Sequence, residues 1–399
     1  MPVWHKATKA WREQGKLAVV GITQEQHAQR CRLFAQWQHI DWPILHDPIN
    51  VTGPSVVPIV MAIDEHGIVR SVRPNVRTFE RDFLDRTFEP PTGDSDAKPN
   101  PLVAPDLAHA KSAAEQSNTA AAWKQYGDEL VLWGGDEQIN SAIDAYRRAL
   151  AIDPDDGDAH FRLGVCFRRR SETSLRDDGD FQRAVDAWGR GLDIDPNHYI
   201  RRRRIQQYGP RLAKPYPFYD WVPRAAEAIR ARGDVPIELA VLPTGAEIAH
   251  PQRRFVEAEH KDASPDPEGR IHRDENELIQ TEVVVVPARI KPGESARIHV
   301  TMRPDDGRQA HWNNENEPVM LWVDVPAGWQ TDRRLLTAPL GDDPESTETR
   351  SIELELKAPD NAQETVRVPA YLLYYVCEGV DGTCLYLRQD LPIDITLAP

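Results

Sequence analysis

The 399-residue chain is short of sulfur, with four cysteines and four methionines. Four cysteines are too few to staple a chain of this length, so its domains must be held by buried apolar surface. Long apolar runs are missing too. The longest aliphatic stretch, Val283–Val286, falls far short of the roughly 20 residues a membrane-spanning helix needs. The opening residues, MPVWHKATKAWREQGK, are charged throughout and lack the apolar centre of a signal peptide. There is no phosphate loop, no Gly-x-Ser-x-Gly elbow and no dinucleotide fingerprint, which leaves hydrolase and nucleotide-dependent chemistry without support. His250, His260, His272, His299 and His311 show no metal-ligand spacing, so neither a metal nor a cofactor is expected. An excess of basic charge is also lacking. The net charge is −15, and because residues 1–88 and 89–232 are each nearly balanced, the imbalance sits in residues 233–399. That sign argues against nucleic-acid binding, which requires phosphate neutralisation.

What is present comes in blocks. At about 100–200 residues per domain the length accommodates two to four domains. Residues 1–88 alternate helix and strand. Lys16–Ile22 (KLAVVGI) is a short strand-like run, and in Gln24–Ile40 the residues Ala28, Cys31, Phe34, Ala35 and Ile40 fall near one helical face. Pro58–Asp64 and Ile68–Val72 form strands joined by Glu65-His66-Gly67, and Thr78–Phe88 closes the block as an amphipathic helix. Residues 89–120, rich in Pro, Ala, Asp and Ser, read as a linker. Residues 233–275 are irregular and Pro-rich. From Glu282 onward the apolar period becomes two, giving about seven strands between closely spaced turns, the pattern of an antiparallel β-sandwich over residues 276–399.

The wording VVGITQEQ…GPSVVPIVMAIDEHGIV, in the order helix, strand, helix, strand, strand, helix, resembles the thioredoxin fold, in the redoxin branch that includes the TlpA and ResA thiol-disulfide proteins. The resemblance implies a cis peptide bond at Val57–Pro58, in a loop that contacts the substrate, and places Asp64 and Gly67 in the hairpin turn. The family's Cys-x-x-Cys, and the central strand before it, have no counterpart after Met1. A thioredoxin sheet without that strand would leave its neighbours unpaired. The resemblance therefore implies either a start upstream of Met1 or a degenerate, non-catalytic domain, and the 399 residues as they stand are expected to have little dithiol reductase activity. His27 and Cys31 share a helical face, an arrangement that can activate a thiol. The neighbours Ala28, Phe34 and Ala35 instead make Cys31 an inward, structural cysteine.

Residues 121–232 contain an internal repeat. Trp123, Tyr126, Gly127 and Leu130 are followed by Ala142, Tyr146, Ala149 and Pro154; His160, Leu163, Gly164 and Phe167 are followed by Ala184, Trp188, Gly191 and Pro196. The two units end on nearly the same words, ALAIDPDD and GLDIDPNH. This resembles the tetratricopeptide repeat (TPR), with the polar stretch Ser171–Asp180 lengthening the second unit and a helix from Tyr219 to about Arg232 as its cap. The resemblance implies a groove for a peptide or protein ligand. The basic runs Arg168–Arg170 and Arg201–Arg204 have two readings: a cationic groove for an acidic segment, using Arg168, Arg169, Arg201 and Arg202, or a solvated face that forms salt bridges with acidic neighbours such as Asp153, Asp155 and Asp156. Cys166, beside Phe167, reads as structural.

The stretches ARIKPGESARIHVTM…AHWNNENEPVMLWVDVPAGW and YYVCEGVDGTCLYL are similar to the amino-terminal periplasmic domain of the DsbD thiol-disulfide transporter, which carries two cysteines close together near the end of its fold. If Tyr371–Cys377 and Cys384–Arg388 close as a symmetric hairpin, Cys377 and Cys384 face each other at a separation compatible with a disulfide. The residues leave three states open: a redox-active pair, a static clip and two free thiols.

The chain thus reads as a multidomain α+β protein: a truncated thioredoxin-like α/β domain, an α-helical TPR domain and an antiparallel β-sandwich. The expected function is redoxin-type thiol-disulfide exchange with a thiol or disulfide protein partner, through a Cys-x-x-Cys encoded upstream of Met1, with Cys377 and Cys384 as a candidate second redox pair that relays electrons and a TPR module that binds partners. The alternative is a non-catalytic scaffold. Both resembled redox families usually work outside the cytoplasm in bacteria, so the chain is expected to be exported if it starts upstream of Met1 and cytoplasmic otherwise.

Overall fold

Short strands, paired amphipathic helices and a period-two tail leave three kinds of local structure, and the computed structural model contains all three. It describes residues 2–90, 103–212, 218–248, 263–363, 365–379 and 382–398. The chain forms two compact units. The first comprises Met1–Leu175, Arg190–Arg203 and Tyr219–Leu242; the second comprises Arg176–Gly189, Arg204–Phe218 and Pro243–Pro399.

The first unit opens with helix α1 (Pro2–Glu13), strand β1 (Gly21–Thr23), helix α2 (Ala28–Gln38) and strand β2 (Ile44–His46). Strands β3 (Met61–Ile63) and β4 (Val69–Val72) follow, then a π-helical turn at Glu80–Leu84. β1 and β2 pair in parallel, and β3 and β4 form an antiparallel hairpin. Among the described residues the two pairs share no ladder. The strand-like run Lys16–Ile22 therefore shrinks to three residues around Ile22, with Val20 left 56% exposed. A ladder on one edge only holds less of a strand than two would. The hairpin, through Ala62, and the π-helical turn, through Phe79 and Phe83, pack against Trp4 and Trp11 of α1.

Helices α3 (Leu107–Ser117), α4 (Ala120–Trp133), α5 (Ile139–Ile152), α6 (Gly157–Arg170), α7 (Asp180–Ile194) and α8 (Tyr199–Tyr208) follow. α7 and α8 contribute residues to both units. Helix α3 corrects the reading of residues 103–120 as linker; residues 91–102 lie outside the described residues. Its alanine-rich sequence has high helix propensity, Asp106 caps it by accepting from the Ala108 and His109 amides, and fully buried Ala114 lets it lie against α4. In α4, Gly127 faces Tyr146 of α5 so closely that an added Cβ would sit 2.7 Å from the ring. Pro154 follows α5, and Asp156 caps α6 by accepting from Asp158 and Ala159 at 3.0 Å each. Helix α9 (Trp221–Ala231), expected to cap the last repeat, packs on α2: Trp221 stacks on Trp37 at 5.9 Å and meets Phe34 edge-on at 5.2 Å.

The second unit is built from strands β5 (Ile279–Val286), β6 (Ser295–Pro304), β7 (Ala310–Asn313), β8 (Met320–Val323), β9 (Gln330–Thr331), β10 (Leu335–Thr337), β11 (Glu345–Ser346), β12 (Arg350–Lys357), β13 (Val366–Val368), β14 (Ala370–Glu378), β15 (Cys384–Asp390) and β16 (Ile393–Ile395). One sheet runs β5-β6-β12-β9, and the other runs β10-β8-β14-β7-β11 with β15 beside β14. All ladders in these two sheets are antiparallel. Both contribute to one core, through Val300 and Leu354 from the first and Trp312, Leu321 and Tyr374 from the second. On the other face of β6 and β12 lies a buried ionic network. Arg297 reaches Glu353 at 2.5 Å and Glu355 at 2.7 Å, and His299 Nδ1 lies 3.2 Å from Glu353. Arg211 donates to Glu355 at 2.7 Å, and the Thr244 hydroxyl to Glu353 at 2.6 Å.

Candidate functional site

Side chains alternate along β14. Leu372, Tyr374 and Val376 point into the core, whereas Tyr371, Leu373, Tyr375 and Cys377 share the opposite face, where Tyr371 and Leu373 cluster with Trp322. Cys377 is the register partner of Cys384 on β15 and of His311 on β7, so Cys384, Cys377 and His311 form one row across three strands. Cys377 and Cys384 are joined by a disulfide, with Cα atoms 3.9 Å apart. The two cysteines differ in access: Cys377 is 1% exposed, whereas Cys384 is exposed. The bond borders a cavity of about 220 Å³ lined by Gln309, His311, Glu345, Gly379 and Gly382 with the two cysteines. Beside it, Tyr375 and Tyr386 stack at 4.4 Å. His311 Nε2 lies 3.7 Å from Glu345, and Nδ1 lies 3.4 Å from the Gln309 carbonyl oxygen.

The other expected site residues lie in the first unit. Val57–Pro58 is a cis peptide bond, and Val57 is 47% exposed. The arginines face their own chain. Arg168 pairs with Glu172 at 2.6 Å, Arg169 with Asp136 at 2.7 Å, and Arg201 with Asp158 at 2.6 Å. Arg201 also donates to the Gly191 carbonyl, and Arg202 to that of Pro196. Arg168, Arg169 and Arg201 are thus each engaged by a carboxylate of the same chain, and Arg202 by a backbone carbonyl. His27, read beside Cys31, turns to Glu172 at 3.3 Å, while the Cys31 thiol donates to the Thr23 hydroxyl at 3.4 Å and burial pushes its pKa up to about 11. Burial likewise raises the Cys166 thiol pKa. Both shifts favour the protonated thiol over the thiolate.

The repeat's own surface holds a segment the sequence did not single out. Asp47, Pro48, Ile49 and Asn50 are buried, Ile49 completely. Arg162 of α6 donates to the Ile49 carbonyl at 3.2 Å while paired with Asp128 of α4 at 2.7 Å, and the Tyr146 hydroxyl donates to the same carboxylate at 2.8 Å. Gln26 donates to the Val165 carbonyl at 3.2 Å, and the Tyr199 amide to that of Ser55 at 3.1 Å. Helices α6 and α8 thus hold Gln26, Ile49 and Ser55 of the same chain, with Asp128 of α4 behind Arg162. Beside this contact lies a cavity of about 440 Å³ lined by His27, His46, Val131, Arg169 and Glu172 among others.

The sequence reading named His311 only as a histidine without metal-ligand spacing, and its place beside Cys377 was not foreseen, because such a histidine carries no signal until register places it beside a cysteine.

Residues 137–168 match a family described as TPR repeat. The small glutamine-rich tetratricopeptide repeat-containing protein 2 of Mycosarcoma maydis is 28% identical over 121 residues, covering 25% of this chain and 32% of that protein. The chain spans about a third of the length of that curated relative. Among solved structures, the crystal structure of MamA is 17% identical over 32% of this chain and 57% of its own, with a TM-score of 0.19. A structure of AvmM, described as catalysing macrocyclization in alchivemycin A biosynthesis, is 15% identical over 31% of this chain and 92% of its own, with a TM-score of 0.18. At these scores neither likeness bears on the fold or the activity of this chain. The chain does contain a tetratricopeptide repeat, a protein-interaction module, and among the described residues no helix is long and apolar enough to cross a membrane.

Proposed function

We propose that this chain is a thiol-disulfide exchange protein whose exchanging bond is Cys377–Cys384, carried on a DsbD-like β-sandwich and accompanied by TPR helices that engage protein. The observation that carries the reading is the unequal access of the two cysteines: Cys384 is exposed beside a small cavity, and Cys377 is buried behind it. An incoming thiolate reaches only the sulfur of Cys384. Attack there forms a mixed disulfide on Cys384 and releases the thiolate of Cys377. A second thiol of the partner then displaces Cys384, so the partner dithiol becomes a disulfide and its two protons end on Cys377 and Cys384. The order of helix α1, the β1–β2 pair, α2 and the β3–β4 hairpin supports a thioredoxin-like reading of the first 88 residues.

The test is reduction of the full chain by dithiothreitol in redox buffers, read by mass spectrometry of the hairpin peptide. An exchanging bond has a reduction potential above about −300 mV, whereas structural bonds lie below it. A value below that limit would sink the proposal and leave the scaffold reading, which the matched repeat favours. With dithiobis(nitrobenzoate) as the probe, the Cys377→Ser variant is expected to label at Cys384 at least tenfold faster than Cys384→Ser labels at Cys377.

A further inference from the structure

Reduction of the Cys377–Cys384 bond places negative charge on the sulfur of Cys377, the less accessible member of the pair. A buried thiolate is a poor leaving group unless a positive charge faces it. The charged and titratable groups around it are few. From β7 comes His311, the direct register partner of Cys377, whose side chain is 15% exposed. Cross-strand partners in an antiparallel ladder stand about 4.5–5.5 Å apart at Cα with their side chains on the same face. From β11 comes Glu345, and from the end of β14 comes Glu378, which Arg308 already engages at 3.3 Å. No other charged side chain among the described residues lines the cavity. The two carboxylates would oppose a thiolate, and the guanidinium of Arg308 is turned to one of them. The imidazole is the group left to face the sulfur, and contact of Nδ1 with the Gln309 carbonyl and of Nε2 with Glu345 sets its plane.

We propose that His311 is the electrostatic partner of this disulfide: as imidazolium it stabilises the Cys377 thiolate released when a partner thiolate attacks Cys384, and as neutral imidazole it does not. This rests on the reading of Cys377–Cys384 as an exchanging bond. The step is the one already balanced. The sulfur–sulfur bond breaks, its electron pair stays on Cys377 Sγ, and a new bond forms between Cys384 Sγ and the attacking sulfur. His311 contributes charge and neither gains nor loses a covalent partner. Reduction of this bond, per attacking thiolate, is thereby faster with the imidazolium facing it than with the neutral imidazole.

The test uses the full-length chain and dithiothreitol as the reductant. Rate constants are measured from pH 5.5 to 8.5, divided by the thiolate concentration at each pH, and read on the hairpin peptide. The native chain is expected to slow by about tenfold over that range, a difference of about 1.4 kcal/mol in the barrier. His311→Gln should be pH-independent at the slow limit, and His311→Lys, with a charge that persists to pH 8.5, should be pH-independent near the fast limit. A His311→Gln profile that still falls like the native one would overturn the role of His311 while leaving the exchange reading intact. So would a slow His311→Lys protein whose circular dichroism is native. A native disulfide that dithiothreitol does not reduce at any of these pH values would end both.

Discussion

Single residues set the chemistry of this chain through their neighbours rather than through their type. Glu353 shows this in the buried network of the second unit. Burial alone would raise its pKa, but His299 and Arg297, with the hydroxyl of Thr244, hold it well below the usual carboxylate range. A carboxylate whose pKa is depressed on folding binds fewer protons in the folded state than in the unfolded one. Its contribution is fully present above the unfolded pKa, near 4.3, and is lost as the pH falls through the folded value. Glu353→Gln is therefore expected to cost about 3–5 kcal/mol at pH 7, because Arg297 and His299 are left buried with less compensation. Urea denaturation at pH 7 and pH 3 checks this, and the gap between variant and native chain should narrow at the lower pH. Little of this network was legible in the sequence. Arg297, Glu353 and Glu355 sit at alternate positions in strands that read correctly as strands, but alternation alone places them on a solvated face, as charged residues usually are. Arg211, Thr244, the Tyr208 carbonyl and the Phe181 ring, brought there by tertiary structure, make that face interior.

Elements were legible where a packing rule leaves a mark on residue types. The pattern of small and aromatic residues from Trp123 to Pro196 predicted helix pairs because close approach demands glycine or alanine at the contact, and Gly127 against Tyr146 is such a contact. Gly127→Ala is expected to destabilise the chain by about 1–3 kcal/mol through overpacking. Gly189→Ala, in mid-helix with no atom within 4 Å of the added Cβ, is expected to stabilise it by up to about 1 kcal/mol through helix propensity. Thermal denaturation of the two variants should thus move in opposite directions, and the same sign in both would contradict the assigned contacts. Helix α3 was illegible because alanine and serine serve a linker and a thin packing face equally well. Strands β7 and β11 were illegible because four and two residues do not establish a period.

At the scale of the whole molecule, the expectation of a groove open to partners has to be set beside residues 26–55, which the repeat already carries. Ile49 is fully buried, and its carbonyl accepts from Arg162. Ile49→Asp would bury an unpaired carboxylate, and the segment is expected to leave its site. Limited proteolysis should then cut within residues 40–60 at least tenfold faster than in the native chain, and an unchanged rate would show that the contact is dispensable. The sequence by itself determined what depends on composition and local period: helix pairs with small residues at their contacts, an antiparallel sandwich, an acidic carboxy-terminal third, and a hairpin able to align Cys377 with Cys384. Tertiary structure alone decided which groups meet across long separations. It set His311 beside the disulfide, turned the arginine runs onto their own carboxylates, sent α9 to α2, and brought residues 26–55 to the repeat. Local periods constrain which face of an element is apolar. They carry no information on which other element will cover that face, because that choice is made by shape and charge between residues far apart in the chain.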